Sequence, residues 1–85
     1  MNNHSLQRFL IQIERREAPL SIEVARSMLE PTGVKVDIDY GPILVNRKLG
    51  RYVVRGIATP EAKSKAEKLD GVRFFSDGQV SATNS

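Results

Sequence analysis

The order of elements along this chain predicts an α+β domain in which an antiparallel four-stranded sheet carries two helices on one face, connected β-α-β-β-α-β. Three observations carry that expectation. Residues 51–80 run apolar strand, capped helix, apolar strand. The first half has the same strand-then-helix order. Between the two lies Val34-Lys35-Val36-Asp37-Ile38-Asp39-Tyr40, where apolar and charged residues alternate strictly. Such alternation describes a strand with one buried and one wet face, so helices are expected on a single side of the sheet.

The first strand is expected over residues 6–13, with Phe9, Ile11 and Ile13 on one face and Leu10 and Gln12 on the other. Residues 1–5 before it read as a flexible tail, and residues 14–18 as a charged connector ending at Pro19. Ser21 is a suitable N-cap, and Glu23 complements the positive end of the helix that follows. That helix is expected over residues 22–30, its stripe formed by Ile22, Ala25, Met28 and Leu29. Pro31 disfavours helical geometry at Glu30, and Gly33 releases the chain into the alternating second strand.

Gly41-Pro42 interrupts that strand as a bend or bulge, and residues 43–45 resume it. Residues 46–50 turn the chain, and residues 51–58 return as a third strand antiparallel to the second. Thr59-Pro60-Glu61 is a strong helix start: threonine caps, proline fits the first helical position and glutamate suits the dipole. Ala62, Ala66 and Leu69 form its narrow apolar stripe, with Lys63, Lys65 and Lys68 outward, until Asp70-Gly71 ends the helix. A fourth strand spans residues 72–76, Asp77-Gly78 turns, and residues 79–85 form a flexible polar tail whose one apolar anchor is Val80. With right-handed crossovers this order is the ferredoxin-like sandwich, a fold that hosts many unrelated functions.

Composition bounds the functions. Eighty-five residues make a single domain, 1–85, with a thin core. The chain is 40% hydrophobic and 27% charged, which is too apolar for a chain disordered throughout. It has no cysteine, so disulfides and thiolate metal sites are excluded. The run Phe9-Leu10-Ile11 is too short for a signal core or a membrane span, and a cytoplasmic location is the expectation.

Chemistry is poorly represented. The only histidine, His4, sits in the expected tail with no fixed geometry for catalysis. Asp37 and Asp39 share one strand face, which reads as the wet side of that strand rather than a metal site. After the first strand, Arg15-Arg16-Glu17-Ala18-Pro19 lacks the glycines of an acylphosphatase phosphate loop. The domain is therefore expected to be a non-enzyme, with no cofactor and no metal.

Two binding readings follow from the residues. The net charge is +3, with Arg47, Lys48, Arg51 and Arg55 gathered mid-chain and Lys63, Lys65 and Lys68 on the second helix. One basic face would suit nucleic acid, with Phe9 or Tyr52 as a stacking platform. The strand-helix order along the chain matches RNA-recognition domains, but Gly50-Arg51-Tyr52-Val53-Val54-Arg55 has one aromatic where their third strand has two. Alternatively, an uncovered sheet face could pair with a copy of itself, giving a monomer or weak dimer.

The run from Tyr52 onward resembles the subtilisin propeptide family, also called inhibitor family I9. Ala58-Thr59-Pro60-Glu61 is similar to that family's helix start. Leu69-Asp70-Gly71-Val72 is similar to its helix close, and Phe74-Phe75 to its aromatic last strand. Val53-Val54 stands where those domains usually carry Gly-Phe, and one aspartate stands where they often have two or three acids. The resemblance implies a ferredoxin-like module that binds a subtilisin-like serine protease in trans, as inhibitor or folding chaperone. Carried over by position, it implies Asp77 as a cap on enzyme helices, with Ser76 as a weaker helper. Val80 and the tail Ser81-Ala82-Thr83-Asn84-Ser85 would then lie in the substrate cleft as an added strand.

Overall fold

The computed structural model describes residues 6–76; the expected tails at 1–5 and 79–85 lie outside that range, as do His4 and Asp77. Five strands and two helices follow in the order β1 (Gln7–Glu14), α1 (Ile22–Leu29), β2 (Lys35–Val36), β3 (Ile43–Asn46), β4 (Arg51–Ala58), α2 (Pro60–Glu67) and β5 (Val72–Ser76). The sheet is antiparallel, ordered β2-β4-β1-β5, with β3 also pairing with β4. No described helix is long and apolar enough to cross a membrane.

Strand alternation sorts side chains to two sides. Phe9, Ile11 and Ile13 of β1 and Val54 and Ala58 of β4 point inward and are buried, with Val36 and Val72 beside them. Ala25 and Leu29 of α1 and Ala62 and Ala66 of α2 join the same cluster, so both helices pack on this inner side. Phe74 meets Phe9 edge-to-face at 5.3 Å, a contact worth about 0.5–1.5 kcal/mol beyond its buried area. No polar or charged residue is buried among the described residues.

Local chemistry delimits the helices. The Ser21 hydroxyl accepts the Val24 N–H at 3.1 Å and opens α1. The Thr59 hydroxyl accepts the Ala62 N–H at 3.2 Å and opens α2, with Pro60 in its first turn. Pro31 does not expel Glu30 from helical geometry as expected. Glu30 has φ −62° and ψ −34°, and the chain continues through a 3-10 turn, Glu30–Thr32, in which the proline occupies the first turn. A proline there costs no hydrogen bond, because that N–H has no intrahelical acceptor.

The second strand differs most from expectation. Of residues 34–40 only Lys35–Val36 is strand, and residues 38–40 form a turn. The Asp37 carboxylate accepts the Asp39 N–H at 3.0 Å, and the Tyr40 N–H turns back to the Asp37 carbonyl at 3.3 Å. This Asx-type bonding competes with the ladder and wins, leaving Ile38 exposed on the turn. Pairing resumes only at β3, after a cis Gly41–Pro42 peptide, so two short strands stand where one long strand was expected.

Two glycines let backbones approach. Gly50 has φ 64°, and a Cβ there would run into the Arg15 carbonyl; the Arg15 N–H donates to the Gly50 carbonyl at 2.7 Å. At Gly56 a Cβ would stand 2.8 Å from the Lys35 carbonyl, against the strand that pairs there.

Candidate functional site

The outward side of the sheet is the most distinctive surface of the described residues. With Phe9, Ile11 and Ile13 inward, Arg8, Leu10, Gln12 and Glu14 of β1 face the other way. The same parity turns Arg51, Val53, Arg55 and Ile57 of β4 outward. Registration then assembles cross-strand rows. Ile57 lies between Lys35 and Arg8, and Leu10 between Arg55 and Phe75. A third row runs Ile43, Val53, Gln12, Arg73, and a fourth pairs Arg51 with Glu14.

These rows make an aliphatic centre of Ile57, Leu10 and Val53 with cations around it. None of the three belongs to the core cluster, and no described helix lies over them. Phe75 at one margin is 50% exposed and Ile43 at the other 45%. A sheet face this apolar, left open, is the kind of surface that docks another molecule.

Charge on the face is partly neutralised. The Arg51 guanidinium meets the Glu14 carboxylate at 3.3 Å, and Arg16 meets the same group at 3.5 Å. Arg55 reaches the Asp37 carboxylate at 3.4 Å and lies 4.6 Å from the centre of the Tyr40 ring. Arg8, Lys35 and Arg73 have no acidic partner within ion-pair distance among the described residues. Arg8, Lys35, Arg55 and Ile57 line a concavity of about 400 Å³ at the β2 end of the face.

The residues singled out from sequence divide sharply. Ser76 is exposed at the end of β5, opposite Phe9 in the ladder. Asp77, Val80, Ser81, Ala82, Thr83, Asn84 and Ser85 lie outside the described residues. Phe9 and Tyr52, the expected stacking platform, are turned inward: Phe9 is 5% exposed and Tyr52 packs against the core. That corrects the stacking assignment, because rings facing the helices cannot receive a base.

The basic residues do not form one face either. Arg51 and Arg55 lie on the open side, whereas Lys63 belongs to α2 on the opposite side. Lys63 is also less free than expected. Its ammonium pairs with Glu67 at 3.0 Å and stands 5.9 Å and 6.0 Å from the Phe9 and Phe74 rings. Arg8, Lys35 and Arg73 were missed as a group. The parity of each strand signals their direction, but only the long-range register brings them together.

Asp37 serves Arg55 and the Asx turn, and no group of three or more histidine, cysteine or acidic side chains capable of holding a metal occurs among the described residues. Comparison of the chain with protein-family models, with curated proteins and with solved structures gives no match.

Proposed function

We propose that this chain is a protein-docking module of ferredoxin-like architecture whose open sheet face binds a subtilisin-like serine protease in trans, as inhibitor or folding chaperone. The single observation that carries the docking reading is the aliphatic centre of Ile57, Leu10 and Val53, one from each of three successive rows and outside the core, with Phe75 at its margin. Buried against a partner, such side chains release water and contribute roughly 25 cal/mol per Å² of apolar area. The strand order β2-β4-β1-β5 supports the ferredoxin-like reading when β2 and β3 are taken as two pieces of one edge strand. The helix start at Ala58-Thr59-Pro60-Glu61 and the Phe74-Phe75 strand support the choice of protease partner.

The nucleic-acid alternative has less support. Base stacking needs free aromatic rings on the open side, where Phe75 is the one ring in the strand rows of the described residues and the Tyr40 ring is already taken by Arg55. Aliphatic side chains instead pack against the apolar side chains of a protein surface.

The test is titration into subtilisin while hydrolysis of a chromogenic peptide is followed. Inhibition is expected, and Leu10→Asp is expected to remove it while circular dichroism stays unchanged. Deleting residues 81–85 is expected to weaken it as well. Full protease activity at every concentration, with rapid digestion of the domain, rejects the protease; full inhibition by Leu10→Asp rejects the sheet face as the contact.

A further inference from the structure

We propose that the Arg8–Ile57–Lys35 row is a carboxylate-binding site that receives an acidic side chain, flanked by apolar residues, from the docked partner protein. The proposal rests on the docking reading above and names the chemistry of the surface that fits it. Register places Arg8 and Lys35 on the two strands that flank Ile57. Neighbouring strands lie about 4.8 Å apart, so the two backbones are about 10 Å apart and their long side chains can converge above Ile57. The concavity of about 400 Å³ lies there, lined by Gly56, Ile57 and the two cations together with Val36 and the paired Arg55 and Asp37.

Charge selects the ligand. Arg55, which also lines the concavity, already has Asp37 at 3.4 Å and the Tyr40 ring at 4.6 Å. Arg8 and Lys35 have no such compensation among the described residues. Two like charges beside one apolar residue repel each other, and an anion between them relieves that repulsion. An apolar surface drawn over Ile57 would exclude water and strengthen the attraction. Arginine can grip a carboxylate with two parallel hydrogen bonds while the ammonium adds a third.

The layout favours one oxyanion group over a phosphate chain. Arg51 is neutralised by Glu14, and Arg73 stands across Gln12 on the far strand. The free cations therefore do not form a continuous track for a nucleic-acid backbone. Aliphatic Leu10 in the adjacent row, with Val53 in the row beyond it, fits the apolar neighbours of an acidic residue on a protein.

The experiment is a titration of the isotope-labelled full chain, followed by its amide spectrum, with the peptide acetyl-Ala-Leu-Glu-Leu-Ala-amide. The glutamine counterpart and the oligonucleotide (dT)8 are run in parallel at the same ionic strength. Saturable shifts at Arg8, Lys35 and Ile57 are expected with the glutamate peptide and not with the glutamine one. In Arg8→Gln/Lys35→Gln those shifts are expected to disappear with the rest of the spectrum unchanged, and any subtilisin inhibition to weaken about tenfold. Absence of shifts, shifts elsewhere, equal response to the glutamine peptide, or stronger binding of (dT)8 at the same residues overturns the site. The two proposals fail separately. A chain that does not inhibit subtilisin yet binds the glutamate peptide loses the protease and keeps the carboxylate site. A chain that inhibits equally well as wild type and as the double variant, with no peptide shifts, keeps the protease and loses the site.

Discussion

Leu29 has 0% exposure where α1 meets the core, and it shows how little redundancy a core of this size holds. Leu29→Ala removes transfer energy and leaves a cavity, an expected loss of about 2–5 kcal/mol. For a domain of this length that lowers the thermal midpoint by at least about 10 °C, readable by circular dichroism. Gly50 is a different kind of single-residue constraint. At φ 64°, with the Arg15 backbone against its Cα, Gly50→Ala is expected to cost about 1–3 kcal/mol in urea unfolding. An unchanged midpoint would show that the 46–50 turn can reshape freely. The ion pairs differ from both: Arg26–Glu30 at 2.9 Å and Lys63–Glu67 at 3.0 Å are exposed enough that water and salt screen them. At this scale the sequence was readable where burial follows from parity, as at Phe9, Ile11 and Ile13. It was unreadable where partners are distant, as for Lys35 and Arg8, far apart in the chain and brought together only by the register each shares with Ile57.

The helices and the edge of the sheet show which elements are specified locally. α2 buries only Ala62 and Ala66, so its start depends on the Thr59 cap more than on packing. Thr59→Ala is expected to destabilise the domain by about 1 kcal/mol in urea, and Thr59→Ser to keep most of the loss from appearing. Both helix starts were legible because a cap and an acid act within one turn, joined in α2 by a proline. The second strand was not. Alternation from Val34 to Tyr40 satisfies the rule for a half-buried strand, yet Asp37 can bond its own backbone, and nothing in the pattern weighs one against the other. The outcome leaves Ile43, Leu44 and Val45 more than 40% exposed on a short edge strand, broken by a register shift between Leu44 and Asn46. Short, irregular edges discourage pairing with other chains. Val45→Lys is expected to change stability by less than about 0.5 kcal/mol, the same urea assay deciding it.

Across the whole described domain, one cluster joins both helices to the inner face of every strand except the short β3. A single cluster implies a single cooperative transition. Tyrosine fluorescence and far-ultraviolet circular dichroism are expected to give coincident urea curves, with a slope of about 1 kcal/mol per molar. Separated curves would mean that α1 or the β2–β3 edge opens on its own. The α+β class with one-sided helices was legible, since alternation and helix stripes report burial on one side only. The open face was legible as a face, but its chemistry was not. Sequence pointed to the mid-chain arginines and the distal tail, whereas pairing put Arg8, Ile57 and Lys35 in one row.

The position of β1, hydrogen-bonded on one edge to β4 and on the other to β5, bears on how the chain is made. During synthesis the middle of the sheet emerges first, and both of its neighbours come from the later half. Until they arrive, Phe9, Ile11 and Ile13 have only core residues of the first half, such as Ala25 and Leu29 of α1 and Val36 of the short β2, to pack against. The sheet thus closes only after translation has passed Ser76, and until then the apolar side of β1 is open to contact with other chains.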